Sequence, residues 1–216
     1  NSGTLSRRMS PCTRSKGGKP ADKCRSEALF LTVNAKSSVM SIYNSTSDQK
    51  QQQGRKCNGF MDSISHCLAT VQARILQAAD LAGREVETIH LLAVSKTKPA
   101  ADIRAAYAAG QRAFGENRIQ DMSDKVDALE YLPLEWHFIG RLQTNKINQL
   151  IELNPFLMHS LSSLELALEI DKRLHVKGKT MSVLLQINSA YEEQKAGVLP
   201  EAALEIYEQI ALTCKH

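Results

Sequence analysis

The sequence has no run of 18 or more apolar residues, so it predicts no helix that crosses a bilayer. It also has no Cys-x-x-Cys pair. His66 next to Cys67 lacks a second pair of ligands at zinc spacing, so a metal site is not predicted. The odd number of thiols is typical of free cysteines in a reducing compartment. They are Cys12, Cys24, Cys57, Cys67 and Cys214.

Acidic residues are scarce in the first 60 positions, which carry 11 Lys and Arg, 3 Asp and Glu, and ten serines. The one short apolar run, residues 28–33, is too small to bury against a core. Residues 1–60 are therefore predicted to be a disordered basic leader or a non-native extension, and Met61 would be a natural start. The same composition fits an organelle transit peptide. A nucleic-acid-binding arm is disfavoured because no aromatic residue interleaves the basic ones.

The apolar periodicity of residues 61–216 predicts helices and strands in alternation. A helix over 62–82 is followed by strands at 88–95, 112–115, 135–140, 156–160 and 181–188, each leading to a helix. The strands start 21 to 25 residues apart, which is typical of βαβ units in a parallel sheet. Ser162-x-x-Glu165 is interpreted as a capping box at the start of one of these helices.

Glycine is absent from "SKTKPA" (95–100), which follows the first of these strands. A dinucleotide-binding fold carries a glycine-rich fingerprint at this point, so its absence favours a barrel over a doubly wound sheet. A closed (β/α)₈ barrel has eight units and about 250 residues. The predicted fold class is therefore α/β, a parallel (β/α) barrel of TIM type with about five units, incomplete because the C-terminal units are missing.

Polar residues stand at the carboxyl ends of the predicted strands, where ligands collect in parallel βα folds. They are Ser95, Lys96, Glu116, Asn117, His137, Gly140, Asn145, His159, Ser160, Gln186 and Asn188. Lys96 is the candidate for covalent chemistry. Apolar walls and the neighbouring Lys98 would favour its neutral amine, which can attack an aldehyde. The alternative is an exposed lysine that pairs with a carboxylate such as Glu116.

Each of the other candidates also has a structural interpretation. Asn117 can be the N-cap of the next helix as well as a pocket residue. His137 lies between Trp136 and Phe138, so a hydrogen-bonded core histidine is a stronger interpretation than a catalytic base. Gly140 suits a turn. Asn145 belongs with Gln143 and Lys146 to a polar group that either binds a ligand or only begins a helix, with Thr144 or Asn145 as its cap.

Four motifs resemble one known family. They are "LLAVSKTKP" (91–99), "FGENRIQ" (114–120), "EWHFIGRLQTNK" (135–146) and "LLQINSAYEEQKAGV" (184–198). All four are similar, in the same order, to those of the YggS/PROSC family of pyridoxal-phosphate-binding homeostasis proteins. This family is related to the N-terminal barrel domain of alanine racemases. The resemblance covers residues 61–216.

The resemblance implies a function and a set of site residues. Pyridoxal 5′-phosphate would be held as an aldimine on Lys96, with Asn117 beside it and His137, Gly140 and Asn145 on the same rim. It implies a role in vitamin B6 homeostasis without robust catalytic activity. The alternatives are a racemase-like enzyme that uses this cofactor and an inactive truncated isoform.

The resemblance also sets expectations about partners and location. The ligands are expected to be pyridoxal phosphate and related B6 vitamers, with no nucleic acid and no membrane as partner, and the chain is expected to be a monomer. The expected location is the cytoplasm, or a mitochondrion or another organelle if residues 1–60 are a transit peptide. The family's C-terminal phosphate-binding stretch has no counterpart in the sequence, so weakened phosphate binding and an open sheet edge after the fifth strand are expected.

Overall fold

A computed structural model of the chain describes residues 28–32, 40–43, 63–192 and 194–216. The strands are β1 (Ala28–Thr32), β2 (Met40–Tyr43), β3 (Ala93–Val94), β4 (Ala113–Glu116), β5 (Glu135–Phe138), β6 (Leu157–Leu161) and β7 (Val183–Gln186). The helices are α1 (Ile64–Leu81), α2 (Ala100–Ala108), α3 (Ile119–Ala128), α4 (Ile147–Leu153), α5 (Leu164–Lys177) and α6 (Ala203–Thr213). None of the helices in these ranges is both long and apolar enough to cross a bilayer.

The five strands β3 to β7 are parallel and lie side by side in chain order, with a helix after each. A doubly wound sheet reverses its strand order at a switch point, whereas a (β/α) barrel keeps it sequential. The observed order is therefore that of a barrel, and the predicted α/β fold class is confirmed. The strand ends nearest the helix N-termini form one common edge, which is where the candidate residues were predicted to meet.

Two further strands lie inside the range predicted as a disordered leader. β1 pairs antiparallel with β2 and, on its other side, with β7, where Leu31 is opposite Leu185. The edge of β7 is consequently paired, and the expectation of an open edge after the fifth parallel strand is wrong. The rest of residues 1–60 lies outside the described residues, and the domain boundary near residue 61 stays a prediction.

Helices cover one face of the parallel sheet and form the core with it. Phe114, Phe138 and Met158 point from the strands into this core, and each is at most 2% exposed. Ile147 and Leu150 of α4 are fully buried against them. Burying a side chain of this size contributes about 1.5–3 kcal/mol. The apolar residues that recur along the strands and helices therefore stabilise the packing of the helices on this face of the sheet.

The opposite face of the sheet is named the inner face, because it would line a closed barrel. It is defined by Val94, Gly115 and His137, which are paired across β3, β4 and β5. A Cβ atom added to Gly115 would contact Leu92 and Ile139 at 3.4–3.5 Å, so these two side chains share that face. Val94 is 40% exposed there, in contrast to the core residues of the helix-covered face.

Several local predictions need correction. The first predicted strand (88–95) is reduced to Ala93–Val94, and Val86–Thr88 is a 3₁₀ turn, because β3 is an edge strand with β4 as its neighbour. The cap of α5 is Ser163, which accepts a hydrogen bond from the Leu166 N–H, and not Ser162. Its end before Gly178, a left-handed residue, is as predicted.

Candidate functional site

Lys96 lies at the carboxyl edge of the sheet, directly after β3 and Ser95. Lys96 stands in the turn that follows the strand, where the Lys98 N–H donates to the Ser95 carbonyl at 3.0 Å. Its side chain is exposed and not enclosed by apolar walls. Within the described residues its ammonium makes no ion pair or hydrogen bond, so the alternative pairing with Glu116 is wrong. The amine is left available to a ligand at this edge.

Glu116 belongs to a buried polar network with Ser95 and Lys125, named here the Ser95 network. The Ser95 hydroxyl donates to Glu116 Oε1 at 2.6 Å. Lys125, from α3, donates from Nζ to the same carboxylate oxygen at 2.6 Å and to the Ser95 carbonyl at 2.9 Å. Ser95 is 4% exposed and Glu116 is fully buried. The network ties β3, β4 and α3 together directly behind Lys96.

Asn117 and Gly140 meet through their backbones at the next two strand ends. A Cβ atom on Gly140 would stand 2.0 Å from the Asn117 carbonyl oxygen, so only glycine allows this approach. The Gly140 carbonyl in turn accepts a hydrogen bond from the Ser160 hydroxyl at 2.5 Å. The glycine therefore serves a close backbone contact between the loops after β4 and β5. Asn117 is exposed, and Arg118 occupies the N-cap position of α3 without a side-chain capping bond, so Asn117 is not the N-cap.

His137 of β5 is 7% exposed and His159 of β6 is 4% exposed. Nδ1 of His137 lies 2.9 Å from Nε2 of His159, so one imidazole donates to the other. Burial lowers the pKa of both side chains to about 4, and for His159 the neighbouring His137 lowers it further. His137 also packs against the Phe156 ring, with centroids 5.3 Å apart. The interpretation of His137 as a hydrogen-bonded core histidine agrees with this geometry.

The remaining motif residues lie farther along the same edge. Asn145 is exposed in the 3₁₀ turn Thr144–Lys146, which precedes α4 and begins after Gln143. At the end of β7, Asn188 is buried and its Nδ2 donates to the Glu192 carbonyl at 2.9 Å. The loop after β7 thereby folds back on its own strand. Neither Thr144 nor Asn145 caps α4, because Lys146 occupies the N-cap.

Two other features do not belong to this edge. A shallow apolar groove lies on the helix-covered side between α5, α6 and the sheet, with Ile170, Ile210 and Cys214 in its lining. Within the part of the chain that the structure describes, no three His, Cys, Asp or Glu side chains are grouped so that they could hold a metal ion.

Sequence reasoning missed Lys125 and the contact between His137 and His159. Lys125 follows Met122 by three residues and precedes Val126, so it lies beside the apolar stripe of α3. The sequence signal for its pairing with Glu116 was a cation at the border of a buried apolar stripe, nine residues after that carboxylate. The two histidines stand 22 residues apart, which is one repeat of the βα pattern, and so occupy neighbouring strands.

Comparisons with known proteins bear on this arrangement. No family model matches the chain. A pyridoxal phosphate homeostasis protein of Helicobacter pylori is 57% identical over 128 residues, which are 59% of this chain and 58% of that protein. The proteins of the same name from Pseudomonas aeruginosa and Escherichia coli K12 are 44% and 43% identical over 141 residues, covering 61% and 60% of their lengths and 65% and 64% of this chain. The chain thus spans about three fifths of the length of these curated relatives.

Solved structures resemble the fold as well. A protein of unknown function from Bifidobacterium adolescentis superposes with a TM-score of 0.66 at 32% identity, covering 70% of this chain and 65% of that one. PipY of Synechococcus elongatus, solved with pyridoxal phosphate bound, superposes with a TM-score of 0.54 at 36% identity, covering 67% and 65%. Identities of this size and the four motifs along one parallel sheet agree, and over about three fifths of their length the chain is similar to the pyridoxal phosphate homeostasis proteins.

Proposed function

We propose that the chain binds pyridoxal 5′-phosphate at the carboxyl edge of the parallel strands and takes part in the intracellular homeostasis of this vitamin B6 cofactor. The observation that carries the proposal is the exposed Lys96 amine, which stands at the ligand-binding edge of a βα fold without a partner among the described residues. Relatives that share the motifs are named for pyridoxal phosphate homeostasis, and PipY binds the cofactor.

The side chains at this edge fit the cofactor's chemistry. When bound, pyridoxal phosphate supplies an aldehyde carbon, with which a lysine amine forms a covalent bond as water leaves. Lys96 would provide that amine. Asn117, exposed on the neighbouring strand end, and Asn145, exposed beyond β5, would face the cofactor from the side. Gly140 would keep the loops close together, and His137 would form part of the inner wall.

The proposed role is binding without robust catalytic turnover, because the names of the relatives refer to homeostasis and not to a reaction. The proposed ligands include other B6 vitamers, and the proposed state is a monomer. Free thiols at Cys67 and Cys214 suit a reducing compartment, which supports the cytoplasm as the proposed location. Steady racemisation of alanine by the purified chain with added cofactor would contradict a purely binding role.

Lys96→Ala is expected to abolish covalent attachment of the cofactor. The full chain is mixed with pyridoxal 5′-phosphate, reduced with borohydride, digested and analysed by peptide mass spectrometry. We expect the wild type to carry the reduced cofactor on Lys96, because reduction makes the bond between amine and aldehyde carbon permanent. In the variant, the corresponding peptide should show no more label than a sample reduced without cofactor.

Lys98→Ala is the matched control, since Lys98 is an exposed lysine two residues away in the same turn. It tests whether labelling depends on one position or only on local positive charge. We expect this variant to be labelled on Lys96 as the wild type is. Equal label distributed over several exposed lysines in all three proteins would contradict a specific site and with it the proposed function.

A further inference from the structure

The lysine proposed to bond the cofactor lies in a tight turn with an unusual backbone. The Lys98 N–H donates to the Ser95 carbonyl at 3.0 Å, which closes the four-residue turn of Ser95 to Lys98. Thr97, the third residue of the turn, has a φ of 64°. This left-handed conformation suits glycine, whereas a β-branched residue such as threonine is strained in it. Some other part of the protein must therefore hold the turn.

Ser95 is the first residue of the turn, and every polar group of Ser95 makes a hydrogen bond that fixes its position. The Ser95 N–H donates to the Gly115 carbonyl at 3.0 Å, and the hydroxyl donates to Glu116. The carbonyl accepts from the Lys125 ammonium as well as from the N–H that closes the turn. Strained residues persist where the surroundings determine the backbone in this way.

Stability alone does not explain a buried ion pair at this position. Glu116 is fully buried and the Lys125 side chain is 12% exposed, so both charges are largely removed from water. Oε2 of Glu116 has no hydrogen-bond partner among the described residues. Replacing such a pair by apolar residues is often neutral or stabilising, whereas the contacts of this pair with the Ser95 hydroxyl and carbonyl fix the backbone of the turn.

We propose that the Ser95 network is a positioning device for Lys96. By fixing Ser95 it maintains the strained turn, and the strained turn keeps the amine at one place at the carboxyl edge of the sheet. Glu116 and Lys125 are thus positioning residues that act through the turn and do not touch the cofactor. This inference rests on the proposed function, because it explains how the chain orients the lysine that would bond the cofactor.

The test combines Glu116→Gln with Lys125→Met, which removes both charges and leaves an amide oxygen that can accept from Ser95. Lys125→Met alone would leave a buried unpaired carboxylate and could unfold the chain. The first readout is exchange of the Lys98 amide hydrogen, followed by NMR in the full chain without cofactor. We expect exchange to accelerate by about tenfold or more, because a hydrogen bond from a charged donor to the Ser95 carbonyl is lost.

Two controls separate positioning from general stability. Glu152→Gln with Lys177→Met removes an ion pair that is exposed on the outer surface, and it should leave Lys98 exchange unchanged. Thr97→Gly relieves the strain in the turn. In that background, removing the network should accelerate exchange at Lys98 much less. An equal acceleration with threonine or glycine at position 97 would overturn the proposal.

The second readout is the concentration of pyridoxal phosphate that gives half-maximal labelling of Lys96. The network variant should need about tenfold more cofactor if the hydrogen bond that fixes the turn is worth about one order of magnitude. Unchanged labelling and unchanged Lys98 exchange would overturn the inference. A further outcome is that Lys98 exchange responds as expected although the wild type forms no adduct on Lys96. That result would contradict the proposed function but would support stabilisation of the turn by the Ser95 network.

Discussion

Replacing Gly140 by alanine is expected to lower the free energy of unfolding by roughly 3 kcal/mol, the upper range for overpacking. The added Cβ would stand 2.0, 2.6 and 2.8 Å from the carbonyl oxygen, carbonyl carbon and Cα of Asn117. These are backbone atoms that cannot rotate away. Moving Gly140 instead would break the hydrogen bond from the buried Ser160 to its carbonyl. Urea unfolding followed by fluorescence of Trp136, the single tryptophan, measures the loss.

Gly83→Ala is the control for the intrinsic cost of losing a glycine. Gly83 has a φ of 60°, and a Cβ added to it meets nothing within 4 Å. Its replacement should cost about 1–2 kcal/mol through the left-handed backbone alone. If Gly140→Ala costs no more than Gly83→Ala, the close approach to Asn117 does not constrain the two loops. Gly140→Ala should also weaken the labelling of Lys96 by the cofactor, because the loops after β4 and β5 border the proposed site.

The alternation of strands and helices was predictable because burial acts on local sequence. The predicted strands at 112–115, 135–140 and 156–160 begin within one residue of β4, β5 and β6. Each segment carries its own apolar pattern, whichever neighbour it finally packs against. The repeats alone allowed either a doubly wound sheet or a barrel, and the absence of a glycine-rich fingerprint after the first strand favoured the barrel, whose sequential strand order is observed.

Strand limits and distant pairings were not predictable in this way. Residues 88–92 are as apolar as a strand, yet the ladder of β3 contains only Ala93 and Val94. A strand exists where a partner offers its backbone groups, and composition does not indicate where the partner begins. The pairing of β1 with β7 joins residues more than 150 positions apart, so no local pattern reports it.

The place of Lys96 at the carboxyl edge of the sheet was predictable, but the contacts of the residues around it were not. A lysine at the end of a strand identified Lys96 and the edge on which it stands. The contacts of Glu116 depend on α3, whose rotation places Lys125 behind β3. The sequence suggested Glu116 as the partner of Lys96, and the fold gives that carboxylate to another lysine. Among the residues that the structure describes, the Lys96 amine has no counter-ion, and Glu116, the partner that the sequence suggested, is paired with Lys125.

Acidification is expected to destabilise the chain well before its carboxylates titrate. The pKa of His137 and of His159 is lowered from 6.5 to about 4 in the folded chain, so unfolding allows both to take up protons. Stability is fully retained above pH 6.5 and is lost as the pH falls from 6.5 towards 4. The free energy of unfolding should decrease by roughly 1.5 kcal/mol per imidazole between pH 6.5 and pH 5, because the slope approaches 1.36 kcal/mol per pH unit only once the unfolded imidazole is mostly protonated.

Urea unfolding at several pH values, again followed by Trp136 fluorescence, measures this slope. In a double variant, His137→Gln with His159→Gln, the free energy of unfolding should depend much less on pH over the same range, whatever its absolute value. His90→Gln removes an exposed histidine and should keep the wild-type slope. Glu152, whose pKa is lowered to about 2 by Lys177 and Lys179, loses its contribution only below pH 4.5 and so cannot produce the effect. Equal slopes for the wild type and the double variant would show that the buried imidazoles do not control the acid sensitivity of the sheet.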